Sequence, residues 1–188
     1  MNLTDYLGKA REMHLAALAG VLRERRQTDP QAVSEVLIEL NSEAFSGIYR
    51  LRRPDILHRD DHGQIRITEV NEDRYLSFDP FVTAPMPGIS IRYTPFHWYS
   101  LEVRVVGEIT DWTPFEKWAH YWMDAEDARL VEGQEWSNTI HDVTEPSLGE
   151  GVWTFAIDLG SADVECIPQL VNLLVELGAR TIELGTMG

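Results

Sequence analysis

Six histidines and 31 carboxylate residues carry whatever acid–base chemistry this chain can do. The first grouping of interest is His97, Trp98, Glu102 and Arg104, on or near one expected strand, with His141 and Asp142 on another. If the two strands pair, His141 approaches the face carrying Glu102 and Arg104. A histidine, a carboxylate and an arginine in one cleft suit general acid–base work. The same residues on a solvated sheet form cross-strand ion pairs instead, and no sequence feature sets the register. Ion pairing is therefore the favoured expectation, with His97, Glu102, His141 and Asp142 as the catalytic candidates.

Two other groupings have blander readings. His58, Asp60, Asp61 and His62 fall within five residues and resemble a metal site. Yet Asp60-Asp61-His62-Gly63 has turn chemistry, and Ile65 and Ile67 alternate after it, so the run is expected at a hairpin tip with no metal. Cys166, the single cysteine, stands near an expected helix start, where a thiol can be activated. Its neighbours Val164 and Ile167 are apolar, and cysteine is among the most buried residue types, which favours a structural thiol. There is no glycine-rich phosphate loop, zinc-protease helix, nucleophile elbow or Cys-x-x-Cys motif. No cofactor is expected.

The elements that must position these residues are legible to different degrees. From Tyr99 the chain alternates: Tyr99, Leu101, Val103, Val105 and Ile109 on one face, Ser100, Glu102, Arg104 and Glu108 on the other. That is a strand with one buried face. Thr113-Pro114-Phe115-Glu116 then has the form of a capping box, and Phe115, Trp118, Ala119, Trp122 and Met123 make one helical stripe. Thr139–Thr144 and Val152–Leu159 read as two further strands, with Pro146–Gly151 as the turn between them. A helix through Ile167, Leu170, Val171 and Leu174 follows, ending at Gly178, and Arg180–Leu184 closes the chain as a strand. The C-terminal half thus reads strand, helix, strand, strand, helix, strand, the order of a ferredoxin-like split βαβ arrangement with two helices on one face.

The N-terminal part reads as an αα-hairpin. Leu7, Leu15, Leu18 and Leu22 define a first helix over 3–26. Asp29-Pro30 restarts a second one through Val33, Val36, Leu37, Leu40 and Ala44. Residues 64–70 and 74–79 read as a short β-hairpin, and the proline-rich stretch 79–88 as a crossing loop. The expected fold is α+β, with an N-terminal region over 1–88 and an α+β sandwich over 89–188, possible also as one continuous domain.

Charge supplies the expectation about partners. The net charge is −15 over 188 residues. Residues 1–60 hold nine basic and nine acidic residues, so the whole excess lies in 61–188, with seven basic and 22 acidic. Such a surface repels nucleic acid and attracts basic proteins. The favoured expectation is a protein-binding module, inhibitor or immunity-like, docking a basic partner through Asp124, Glu126, Asp127, Glu132 and Glu135, with Trp98 or Trp136 as aromatic anchor. The alternative is a small-molecule binding domain or enzyme with a His/carboxylate pocket around His97, Glu102 and His141. A homodimer built on the helical hairpin is a third possibility. No apolar run is long enough to span a bilayer and no signal peptide is evident at the N-terminus, so a cytoplasmic protein is expected.

Overall fold

The computed structural model of the chain describes residues 3–71, 76–129 and 135–186. Its elements in order are α1 (Leu3–Thr28), β1 (Val33–Ser34), β2 (Ile38–Glu39), a 3-10 turn (Gly47–Arg50), β3 (Leu51–Arg52), β4 (Ile56–Arg59), β5 (Ile65–Thr68), β6 (Phe81–Thr83), β7 (Ser90–Tyr93), β8 (Leu101–Gly107), α2 (Thr113–Met123), β9 (Asp142–Val143), β10 (Ser147–Gly149), β11 (Val152–Asp158), α3 (Cys166–Glu176) and β12 (Ala179–Gly185). The fold is α+β, and no helix among the described residues is long and apolar enough to cross a membrane.

The principal sheet has seven strands in the order β10-β11-β8-β12-β7-β6, with β9 also pairing β11. It is mixed: β12 runs parallel to β7 and antiparallel to β8. The alternation expected around Leu101–Val105 is present, with Leu101, Val103 and Val105 buried and Arg104 exposed. Across the registers Val103↔Phe155 and Val103↔Leu184 they join one apolar face. Phe115, Trp118, Ala119 and Trp122 of α2 and Ile167, Leu170, Val171 and Leu174 of α3 belong to the same core. The opposite face carries Glu102, Arg104, Thr154, Ala156, Asp158 and Glu183, which is the parity that registers Ala156↔Glu102 and Glu183↔Arg104 require.

The N-terminal αα-hairpin does not form. After α1 the chain makes β1 and β2, which pair with β4 and β3. Asp29 does not cap a new helix onward. Its carboxylate accepts from Gln31 N (3.0 Å) and Arg59 N (2.6 Å), tying the end of α1 to β4. Glu35 stands at φ 55°, a left-handed conformation that ends any right-handed helix there. Val33 and Val36, read as part of a buried helical stripe, are more than a third exposed.

Three other expectations change. β5 pairs back onto β4 through the turn that Asp60 organises, so the His58–His62 run does sit at a hairpin tip. The partner strand expected at 74–79 lies partly outside the described residues, and 76–79 has no regular structure. The turn expected at Pro146–Gly151 is strand β10 in a hairpin with β11, reversed at Glu150 and Gly151, both with positive φ. In place of the capping box, Asp111, just ahead of the N-cap Trp112, accepts from Thr113 N at 2.8 Å. Gly178 does end α3 with a positive φ, as its position implies.

α1 packs within the chain. Tyr6, Leu7 and Ala10 enter the principal core, and the Tyr6 hydroxyl donates to Phe96 O and accepts from Phe96 N. Leu18 and Leu22 form a second, smaller cluster with Ala32, Ile56 and Val70. That cluster packs α1 against β4 of the small sheet β1-β4-β5, and residues of the small sheet and of β11 together line the candidate site.

A buried histidine between two carboxylates at the edge of an acidic cavity

The candidate site grows from His141, which precedes β9 and is 2% exposed. Its backbone is held on two sides: His141 N donates to Asp158 O (2.9 Å) and His141 O accepts from Arg53 N (2.8 Å). Its ring lies between two buried carboxylates. Nδ1 meets Asp55 Oδ1 and Nε2 meets Glu35 Oε1, each at 2.7 Å. Burial alone opposes a charged imidazole, but hydrogen bonds to Asp55 and Glu35 overcome it and raise the His141 pKa to about 10. His141 is therefore an imidazolium donating from both nitrogens. Burial pushes the Glu35 carboxyl up. His141 and the Ser137 N–H outweigh it and leave the pKa below the usual range.

Each member is fixed by a different element. Asp55 leads into β4 and its second oxygen accepts from Val70 N (2.6 Å). Glu35 hangs from the left-handed residue after β1. Gly160, at φ +48°, lets the backbone lie against the imidazole. A Cβ there would stand 2.1 Å from His141 Cδ2. Gly160 also accepts from Trp98 Nε1 and donates to Asp158 Oδ1. Trp98 is thus a core side chain at 2% exposure, and the expectation that it anchors a partner is corrected.

Arg53 locks the surrounding backbone. Its side chain is fully buried and donates to Met123 O, Glu35 O and Asp124 O, and to Asp127 Oδ1 at 2.7 Å. Asp124 is buried as well, in a left-handed conformation at the end of α2, where it accepts from Ala128 N and Arg129 N. Two residues assigned to a docking surface, Asp124 and Asp127, are therefore committed to holding Arg53. Glu135 is exposed but pairs with Arg26 at 3.7 Å, and Glu126 is exposed. Glu132 lies outside the described residues.

Beside this framework lies a cavity of about 360 Å³. Asp55, Glu69, Asp142 and Asp158, with His141, Arg52 and Arg53, supply most of its polar wall, and Ile38, Leu40, Pro54, Ile67 and Tyr99 its apolar one. Burial raises Asp158 to about 7, with His141 opposing and Asp55 adding to the rise. Burial also raises Asp142, against the pull of Arg52, and raises Glu69, helped by the charge of Asp55. Arg52 itself faces Asp142 at 3.3 Å. These carboxylates share a space with too little positive charge to keep all of them comfortably ionised.

Of the four catalytic candidates, the structure brings His141 and Asp142 to this cavity. His97 is not part of its lining; it bridges to Ser100 in a tight turn and its ring stands 5.0 Å from that of Tyr99. Glu102 lies one groove away, because β9 pairs with β11 and not with β8. Sequence reasoning missed Glu35, Asp55, Glu69 and Asp158. Only Asp158 carried a signal, the alternation of its strand. Cys166 is fully buried, and burial pushes its thiol far up, as a structural cysteine requires.

A metal ion is a poor fit for the group. One ligand atom each from Asp55, His141 and Asp158 lies within 4.8 Å of the others. Both His141 nitrogens are already spent on carboxylates, and a protonated imidazole has no lone pair to give.

No protein-family model, curated protein or solved structure matches the chain.

Proposed function

We propose that the protein binds a small organic cation in the cavity between the small β1-β4-β5 sheet and the outer face of the principal sheet. The observation that carries this reading is that Asp55, Glu69, Asp142 and Asp158 line one partly apolar cavity, three of them with their proton affinity raised by burial. An ammonium or guanidinium group placed there relieves their mutual repulsion, while Ile38, Leu40, Ile67 and Tyr99 take the attached carbon skeleton. Asp158, near neutrality, is also the residue best placed to exchange a proton with such a ligand.

The test is calorimetric titration of the full chain with alkylammonium and guanidinium salts, with acetate and phosphate as anionic controls. Saturable binding of a cation, strengthening as pH rises from about 6 to 8 as Asp158 ionises and accompanied by proton release, is expected. In Asp158→Asn that pH dependence should vanish while the circular dichroism spectrum stays native. Binding of the anions alone, or of no ion at all, overturns the reading.

Docking of a basic protein is the second reading. Its support is the net charge of −15 and the exposure of Glu126 and Glu135. It predicts an association rate that falls steeply with ionic strength. We also read the succession β12-β8-β11-β9 with α2 and α3 as a ferredoxin-like core to which β6, β7 and β10 are added.

A further inference from the structure

The cavity holds charge of both signs, and the registers say where each stands. Arg52 lies opposite Ile38 across β2 and β3, and Asp142 lies opposite Asp158 across β9 and β11. Directly opposed residues of an antiparallel pair point to the same face, with Cβ atoms about 5 Å apart. Both pairs line the cavity. The Arg52 guanidinium therefore shares one wall with Ile38, and Asp142 and Asp158 stand side by side on a second. The two walls meet where Arg52 Nη2 approaches Asp142 Oδ2 at 3.3 Å.

Both signs of charge keep capacity for a ligand. The contact with Asp142 occupies one nitrogen of a guanidinium that carries five N–H donors. Arg52 Nε and Nη1 make no hydrogen bond among the described residues. The Arg52 side chain is 44% exposed, against 2% for His141 and Asp55, so it stands at the open end of the cavity. Asp158 spends Oδ1 on Gly160 N and Asp142 spends Oδ1 on Val143 N, both at 2.9 Å. Asp158 has no arginine partner among the described residues, and its Oδ2 is left for an ammonium group.

A ligand that brings positive charge alone leaves the Arg52 donors unused. One that also brings a carboxylate uses them. The spacing decides how far apart its two charges stand. Arg52 touches Asp142, and Asp142 is one strand spacing, about 5 Å, from Asp158. An ammonium and a carboxylate on one carbon meet that requirement, and the two ends of an extended chain do not. Ile38, Leu40, Pro54 and Ile67 then take an apolar side chain.

We propose that the ligand is an α-amino acid with an apolar side chain, its carboxylate on Arg52, its ammonium between Asp142 and Asp158, and its side chain against Ile38, Leu40 and Ile67. This rests on the cation-binding reading above and adds the ligand's second charge and where it sits.

The experiment titrates the full chain by calorimetry with two α-amino acids, leucine and phenylalanine, and with isoamylamine and phenethylamine, the same molecules without the carboxylate. A fifth probe, ε-aminocaproate, is an isomer of leucine with its charges at opposite ends. At least one of the two α-amino acids is expected to bind at least tenfold tighter than its own amine and than ε-aminocaproate. In Arg52→Gln that amino acid should fall to the level of its amine, while the amine keeps its affinity or gains. Arg23→Gln removes the same charge from an exposed position on α1 and should leave every affinity intact. The comparison of amino acid with amine in the native chain decides the matter even if Arg52→Gln does not fold. Amines or ε-aminocaproate that bind as tightly as the α-amino acids, or equal losses in the two variants, overturn the amino-acid assignment while the single-cation cavity stands. If none of the five probes binds, the cation-binding reading falls with it.

Discussion

At the scale of single residues, His141 is the charge on which the N-terminal segment and the principal sheet meet. Removing it leaves Glu35 and Asp55 as uncompensated buried carboxylates, so His141→Ala should cost about 3–5 kcal/mol in urea unfolding. Its pH signature has a defined sign. The folded pKa, about 10, lies above the reference value of 6.5. The stabilisation is thus complete below about pH 6.5 and is lost as pH rises toward 10; unfolding midpoints across that range should fall in the native chain and stay flat in the variant. Asp158 acts in the same direction at lower pH. Its pKa is raised from 3.8 to about 7, so ionising it costs stability between those values. Asp158→Asn should gain stability relative to the native chain as pH rises from 4 to 7, read from the same melts. Gly160 is a third such residue. Gly160→Ala meets both the positive φ and the His141 ring, and a loss of about 2 kcal/mol or more in thermal unfolding is expected.

At the scale of elements, one arginine decides how the chain between α1 and β4 is held. Arg53 reaches the end of α2 through Met123 O and Asp124 O, and the strand region through Glu35 O. Lysine has neither the fork nor the reach to satisfy these carbonyls together. Arg53→Lys should therefore destabilise nearly as much as Arg53→Ala, on the order of 3 kcal/mol, with hydrogen exchange quickening first in β1 and at the end of α2. Elements whose pattern was set by a large buried face were legible in the sequence: α1, β8, α2, β11, α3 and β12. The segment 30–46 was not. Its valines and leucines have helical spacing, but Asp29 bonds to Arg59, thirty residues away, and Glu35 bonds to His141, 106 residues away. Local periodicity has no access to either partner, and tertiary bonds override it.

At the scale of the whole molecule, the negative charge has two fates. Part is consumed internally, by Arg53 with Asp124 and Asp127 and by His141 with Glu35 and Asp55. Part converges on the cavity. A cation that binds there stabilises the folded state by mass action: at a concentration a hundredfold above its Kd the gain is about 2.7 kcal/mol, visible as a rise in thermal midpoint that added salt diminishes.

The sequence by itself determined the α+β class, the alternating strands, the helical stripes, the structural cysteine, the hairpin tip at His58–His62 and the acidic excess. Each follows from local periodicity, turn chemistry or composition. Tertiary structure alone decided that Trp98 and Asp124 face inward, that His141 sits between Glu35 and Asp55, and that Glu69 and Asp158 share its cavity. Those seven residues come from seven separate stretches of chain, and a carboxylate on a strand looks the same in sequence whether it meets water, an arginine or a buried imidazolium. Which of these it meets depends on strand register and on which sheet packs against which, and the physical cost of burying charge then sets its proton affinity and its use.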